Sequence, residues 1–238
     1  MPQVNIILLV KDRPRLTEQC LKTLYANTPE DQFNLTIMDD GSAGPTIDVI
    51  CRYVHPKANC RLVSFPESIG IVGFLRNVGA AASERYFGRG EYLYFSDNDI
   101  YFKHGWLNWM KGMMMFAEPQ VKVLGGYRHP FHGVNQRLGW SSWGETETTD
   151  AVAGYSMLMR WETFDKYGPF DQHSKGVCQS EDFAFCQKII KDGGLVGYCN
   201  GPTIINCGVT NSEGKPAIGH EAFKQQEIPY YAKGIIFE

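Results

Sequence analysis

Several common signals are missing from this chain, and each absence closes a class of function. No two of the seven cysteines form a Cys-x-x-Cys pair, and seven is an odd number. A disulfide framework and a zinc ribbon are therefore not signalled, and reduced, mostly packed thiols are expected. Apolar runs are short. Ile6 to Val10 is far too brief to cross a bilayer, so any membrane role would be peripheral and the expected location is the cytoplasm. Met1-Pro2-Gln3-Val4 leads straight into a strand-like run, with no signal peptide expected ahead of the fold. No strong charge of one sign is present: the formal net charge is −3, which argues against a general nucleic-acid-binding surface. There is no Pro/Gly/Ser-rich linker and no internal repeat. No G-x-G-x-x-G follows a strand, and Gly70-x-x-Gly73 has the wrong spacing, so a dinucleotide-dependent dehydrogenase is disfavoured.

What is present suits one substantial α/β unit. The 238 residues are 43% apolar and 13% aromatic, enough for a sizeable core. Asn5 to Val10 reads as a buried parallel strand, continuous and bounded by charge. A helix follows, with Asp12 or Arg13 as its cap, Pro14 in its first turn and a stripe of Leu16, Cys20, Leu21 and Leu24. Strands at 33–38, 60–65 and 91–96 then alternate with helices at about 45–54 and 71–83. That alternation is the signature of a doubly wound, mainly parallel sheet. After Asp99 the rhythm changes. A helix is expected over 105–117, where Trp106, Trp109, Met110, Met113 and Met114 pack on the sheet. Strands are expected over 121–127 and 155–160. Residues 128–150 show no period and are expected to be a long active-site loop, a lid that closes over a ligand. Ser180 to Lys191 reads as a helix capped by Ser180, with Phe183, Cys186, Ile189 and Ile190 on one face. Residues beyond about 210 read as an irregular tail.

Three acidic motifs occur in a fixed order: Asp39-Asp40-Gly41-Ser42, Asp97-Asn98-Asp99 and Glu181-Asp182. The first two close strand-like runs, and the third opens a helix. Taken singly, the first two are turns and the third complements a helix dipole. Taken together, two fall at the sheet edge where α/β folds bind ligands. Asp97-Asn98-Asp99 is not an EF-hand loop, since Ile100-Tyr101-Phe102 stands where that loop needs a polar ligand and a glycine. A carboxylate there suits Mg²⁺ or Mn²⁺, hard cations that take a few carboxylates together with substrate phosphates.

These segments resemble an inverting GT-A glycosyltransferase of the family 2 type. Val10-Lys11-Asp12-Arg13-Pro14 with Leu16 and Leu21 resembles that family's opening strand and helix. Met38-Asp39-Asp40-Gly41-Ser42 resembles its nucleotide-binding strand end, and Gly70 to Gly79 its glycine/Arg-Asn-x-Gly segment. Asp97-Asn98-Asp99 resembles its D-x-D motif. Gly154 to Arg160 and Gly168-Pro169-Phe170-Asp171 resemble its acceptor-side segment, and Ser180-Glu181-Asp182 its catalytic motif. The resemblance spans roughly residues 4 to 207. It implies a GT-A fold: a Rossmann-like, mainly parallel central sheet flanked by helices, in a single domain over 1–238. About 1–100 would form the nucleotide-sugar-binding half and about 101–238 the acceptor-binding and catalytic half.

The resemblance also implies roles. Asp12, Asp39 and Asp40 would contact the donor's base and ribose, Arg76 would sit near the donor, and Asp97 would contact ribose or donor sugar. Asp99 would ligate Mn²⁺ or Mg²⁺. The family often has a further metal-ligand histidine near the end of a late strand. Here that strand reads Ile204-Ile205-Asn206-Cys207-Gly208, and His220 is the only later histidine. Asp182 would be the general base, with Glu181 on the acceptor side. Trp140 and Trp143 would stack on the acceptor sugar or pack within the lid. The implied activity moves a sugar from a nucleoside-diphosphate sugar, a UDP-sugar first among them, to an acceptor hydroxyl with inversion. The acceptor would be a glycan, a lipid-linked sugar, a protein or a modified nucleic acid. Galactosyltransferase-like or polypeptide-modifying GT-A enzymes are the nearest alternative, and a non-catalytic carbohydrate-binding relative is the alternative outside catalysis. A nucleotide-sugar pyrophosphorylase would need a glycine-rich loop after the first strand, and Lys11-Asp12-Arg13-Pro14-Arg15 has no glycine.

Overall fold

A computed structural model of the chain describes residues 3–117, 119–126, 128, 134–139, 145–173, 181–201 and 203–207. In the first half, strands β1 (Val4–Val10), β2 (Phe33–Asp39), β3 (Cys60–Ser64) and β4 (Tyr92–Asp97) alternate with helices α1 (Pro14–Asn27), α2 (Gly44–Val54) and α3 (Val72–Phe87). The second half supplies β5 (Ile100–Phe102), α4 (Trp106–Phe116), β6 (Val121–Gly125), β7 (Gln136–Gly139), β8 (Glu145–Thr148) and β9 (Ser156–Arg160). It continues with α5 (Trp161–Tyr167), α6 (Glu181–Lys191), β10 (Leu195–Asn200) and β11 (Ile204–Asn206).

Nine strands form one sheet in the order β3-β2-β1-β4-β9-β6-β10-β8-β7, and β5 pairs with β11 in a small second sheet. Within the large sheet, β8 and β9 alone run against the other seven strands. The expected α/β architecture with a mainly parallel sheet is present. Strand β4 pairs with β9 from Tyr92↔Arg160 to Ser96↔Ser156, so one sheet runs through both halves of the chain.

The period-2 geometry of β1 explains the layering. Val4, Ile6, Leu8 and Val10 point to one face, where Cys20, Leu21 and Leu24 of α1, Ile50 of α2 and Trp106, Met110 and Met113 of α4 cover them. Ile7 and Leu9 point to the other face, under Leu75 and Ala80 of α3, Trp161 of α5 and Phe185 and Ile189 of α6. All seven β1 residues are buried, as a strand covered on both faces should be. Gly79 lets α3 lie close on the sheet: a Cβ there would stand 2.4 Å from Ile7 Cγ2.

Four expectations are corrected. Residues 128–150 are not a structureless loop. They contain β7 and β8, and β8 adds to the sheet edge on β10 from Gly197↔Thr148 to Asn200↔Glu145. The inward residues of β8 are Thr146 and Thr148, both buried, so the strand has no apolar alternation to betray it. Arg13, one of the two expected caps, holds the N-cap position of α1, but no side chain makes the capping bond, and the Asp12 carboxylate accepts from Ala43 N instead. The buried face of α6 carries Glu181, Phe185, Cys186 and Ile189, whereas Phe183 is 48% exposed. Strand β10 and helix α5, absent from the sequence reading, complete the second half. The expected packing of α4 is present, with Trp106, Met110, Met113 and Met114 buried. The six cysteines among the described residues are free thiols. Among those residues, no helix is long and apolar enough to cross a membrane.

Candidate active site

Adjacent parallel strands β2, β1 and β4 end side by side. The chain therefore delivers Asp39-Asp40, Asp12 and Asp97-Asn98-Asp99 to one edge, the carboxyl edge where open α/β sheets bind ligands. Each carboxylate there has a defined setting.

Asp12 Oδ1 accepts from Ala43 N at 2.9 Å, and its backbone N donates to Ser42 Oγ at 2.8 Å. Asp12 thereby ties the end of β1 to the turn after β2. Asp39 is fully buried. Its oxygens accept from Ser64 Oγ at 2.7 Å and Ser42 N at 3.2 Å. Asp40 accepts from Ser68 Oγ and Ile69 N, both at 2.6 Å, and so fixes the 68–70 segment that leads into α3. Three expected donor-side carboxylates thus shape one side of this edge through loops that they themselves anchor.

At the end of β4, Asn98 is the tie. Its Nδ2 donates to Asp12 O at 2.9 Å and to Thr17 Oγ1 at 2.8 Å. Asp99 Oδ2 accepts from Arg13 Nη1 at 2.8 Å, while Asp99 Oδ1 is buried with no hydrogen-bond partner among the described residues. Asp97 lies 3.6 Å from Arg76 Nη2. Its carboxyl is pushed up to about 6, first by desolvation, with Asp99 and Asp182 adding to it and Arg76 and Arg13 opposing. Part of the Asp97 side chain, 36%, still reaches solvent, so it stands at the mouth of the cluster. Burial also raises Asp99, against the pull of Arg13.

Arg76, expected near the donor, is 2% exposed and lies beneath the site. Its Nη1 pairs with Glu181, its Nη2 faces Asp97, and its guanidinium stands 5.6 Å from the centre of the Phe170 ring. Burial alone would lower its pKa, but Glu181, Asp97 and Asp182 outweigh that and hold the charge. Glu181, expected on the acceptor side, is turned inward and occupied by this arginine. Its pKa is raised by burial, against the pull of Arg76. Packing forces this arrangement, since a buried guanidinium needs a partner. Neighbouring Asn77 exchanges two 2.9 Å bonds with the Phe170 backbone, which fixes the 168–171 segment against α3.

Asp182 opens α6 beside this pair. Oδ2 accepts from Gly154 N at 2.8 Å and Oδ1 from Phe183 N at 2.7 Å. Its charge acts on Arg76, Asp97 and Glu181. Gly154 is required here: a Cβ would stand 2.2 Å from Arg76 Nη2. The structure therefore brings Asp12, Asp39, Asp40, Arg76, Asp97, Asp99, Glu181 and Asp182 to one end of the sheet. Trp140, Trp143 and His220, and the Ser180 cap, lie outside the described residues. Arg13, Asn98, Asn77 and Gly154 were not singled out as site residues from sequence. The trace they leave there is membership of the matched motifs and, for Arg13, its place at the start of the first helix.

Divalent-cation chemistry fits this edge. Asp99 Oδ1 is a buried acceptor without a donor among the described residues, beside a second carboxylate whose proton affinity is raised. Among the described residues no three His, Cys, Asp or Glu side chains cluster as a complete ligand set. Two shallow surface concavities, of about 300 and 280 Å³, are lined by Gln120, Lys166 and Asp192 and by Ala81, Arg89 and Trp161. Neither contains any of these acidic residues.

Known proteins agree with the fold. The mannosyltransferase PcManGT from Pyrobaculum calidifontis, solved with GDP-Man and Mn²⁺, is similar with a TM-score of 0.62 and 18% identity, over 98% of this chain and 64% of that one. TarS 1-349 of S. aureus in complex with UDP-GlcNAc matches at 0.61 and 15%, over 94% and 64%. The same protein with UDP matches at 0.61 and 19%, over 86% and 60%. In sequence, the O-antigen biosynthesis protein RfbC of Myxococcus xanthus is 25% identical over 204 residues, 76% of this chain and 15% of that protein. No family model matches. The chain spans less than two thirds of the length of these structures and a small part of RfbC. It has the GT-A fold that its motifs lead one to expect.

Proposed function

We propose that this chain is a glycosyltransferase that moves a sugar from a nucleoside-diphosphate sugar, a UDP-sugar first among candidates, to an acceptor hydroxyl with inversion. One observation carries the reading: Asp12, Asp39, Asp40, Asp97 and Asp99 share the carboxyl edge of three adjacent parallel strands, while Asp182 faces them from the start of α6. Residues up to about 100 form the donor half and the remainder the acceptor and catalytic half. The neighbours solved with GDP-Man and Mn²⁺ and with UDP-GlcNAc support a nucleotide-sugar ligand for this fold.

On this reading the loops fixed by Asp12, Asp39 and Asp40 receive the base and ribose. Asp97 and Asp99 would hold Mn²⁺ or Mg²⁺, with His220 as a candidate third ligand. Such a cation, when bound, offsets charge on the departing diphosphate. Asp182 takes the proton from the acceptor hydroxyl as its oxygen bonds to the anomeric carbon. The bond to the β-phosphate oxygen breaks, and its electron pair leaves with the diphosphate. Attack from the side opposite the leaving group inverts the centre. Backbone N–H groups of Gly154 and Phe183 hold the Asp182 carboxylate in place and leave it lone pairs to accept that proton. Arg76 and Glu181 keep α6 against α3, and Arg76 also faces Asp97 at the end of β4, so that base and donor carboxylates stay in register. Trp140 and Trp143 are the acceptor-stacking candidates.

The test is Asp182→Asn. This isostere cannot take a proton and is expected to lose transfer by about 10²–10⁴-fold while titrating with nucleotide sugar as the wild type does. NMR of the wild-type product should show an anomeric configuration opposite to the donor's. Retained turnover in the variant, or a retained configuration, would overturn the assignment.

A further inference from the structure

Arg13 has no part in the mechanism above, yet its position is elaborately fixed. Asp12 and Arg13 both adopt left-handed backbone, at φ 52 and 59. Such a conformation is unfavourable for an L-residue, and two in succession need outside support. Asn98 provides it by donating to Asp12 O and Thr17 Oγ1, and Ser42 and Ala43 hold Asp12 from the other side. The result swings Arg13 back over the cluster, where Nη1 meets Asp99 Oδ2 at 2.8 Å. This is the one ion pair described for Arg13, and it is partly buried, at 23% and 13% side-chain exposure. It occupies one oxygen of the carboxylate whose other oxygen is buried and has no partner among the described residues.

We propose that Arg13 is a resident counter-ion for Asp99 that couples cation binding to diphosphate binding. The inference rests on the metal–nucleotide reading above. Before ligands arrive, the guanidinium neutralises Asp99 and spares the site an unpaired buried carboxylate. A divalent cation approaching Asp99 is repelled by that guanidinium and must displace it. The displaced group then needs an anion, and its planar fork of N–H donors matches phosphate oxygens. The arriving diphosphate supplies them. Cation alone therefore binds weakly, and cation with nucleoside diphosphate binds as a set, a reciprocal coupling between two ligands.

The experiment measures free Mn²⁺ by EPR in titrations of the full chain, without nucleotide and with UDP or GDP. Arg13→Asn removes the cation while tolerating the left-handed backbone. It should bind Mn²⁺ alone about tenfold more tightly than wild type, the worth of one charge-assisted bond. It should also gain less than wild type when nucleoside diphosphate is added. Arg13→Gln repeats the test should the Asn variant fail to fold. Arg13→Lys, which keeps the charge, should stay close to wild type. Unchanged or weaker Mn²⁺ binding in both neutral variants, with binding still abolished by Asp99→Asn, overturns this inference and leaves the metal reading intact. Wild-type Mn²⁺ binding in Asp99→Asn, with nucleotide present, overturns the metal reading and this inference with it.

Discussion

Carboxylates at this sheet edge differ in what they are free to do, and their partners set the difference. Asp39 and Asp40 are met by hydroxyls and backbone N–H groups and serve as rigid loop anchors. Asp97 keeps a route to solvent and a proton affinity raised to about 6. A cation binds the ionised form only, so metal binding must release that proton. Apparent Mn²⁺ affinity in the presence of nucleotide is expected to hold above pH 6 and to fall as pH drops through 6 toward 5, read by calorimetry. A flat profile across that window would refute the role of Asp97. The same shift has the opposite sign for the metal-free protein. Between 3.8 and about 6 the folded state binds more proton than the unfolded chain. This group's contribution to stability is therefore present below 3.8 and is lost as pH rises through about 6.

Helices α3 and α6 meet at a buried ion pair, and the start of α6 carries the proposed base. Arg76 and Glu181 lie 105 positions apart in the chain and are both nearly excluded from water. Breaking one side of such a pair leaves a buried charge without a partner. Arg76→Met is expected to cost about 3–5 kcal/mol in urea unfolding. The double variant Arg76→Met with Glu181→Leu should recover most of that stability, since apolar replacements of buried pairs are often neutral or favourable. It should still lose transfer activity, because Asp97 and Asp182 no longer share the positive centre between them. Full activity in the double variant would show that the pair serves folding alone.

Across the whole molecule, one sheet carries both halves of the site. The β4–β9 pairing sets the proposed donor edge beside the segment that holds Asp182. A ligand that binds the native state alone raises the melting temperature by mass action. A nucleotide sugar at a hundredfold excess over Kd, with Mn²⁺, should shift melting by about 5–10 °C for a chain of this size. A panel of UDP- and GDP-sugars read this way ranks donors. No shift with any of them, with or without metal, would count against the nucleotide-sugar reading.

The strand ends can be read from the chain alone. Continuous apolar runs closed by Asp39-Asp40 and Asp97-Asn98-Asp99 leave little choice of where a buried strand must stop, and parallel βα alternation puts those stops on one edge. Hence the fold and the ring of carboxylates were legible along the chain. The edge strand β8 was not, because threonines fill its inward positions and leave no apolar period. Phe183 fell on the wrong face because the helical stripe runs through Phe185 instead. What tertiary structure alone decided was pairing. Whether Glu181 faces an acceptor or Arg76, and whether Arg13 points to solvent or to Asp99, depends on residues 105 and 86 positions away. The physical reason is burial. A charge shut away from water takes whatever opposite charge the fold brings within reach, and local sequence does not record which one that is.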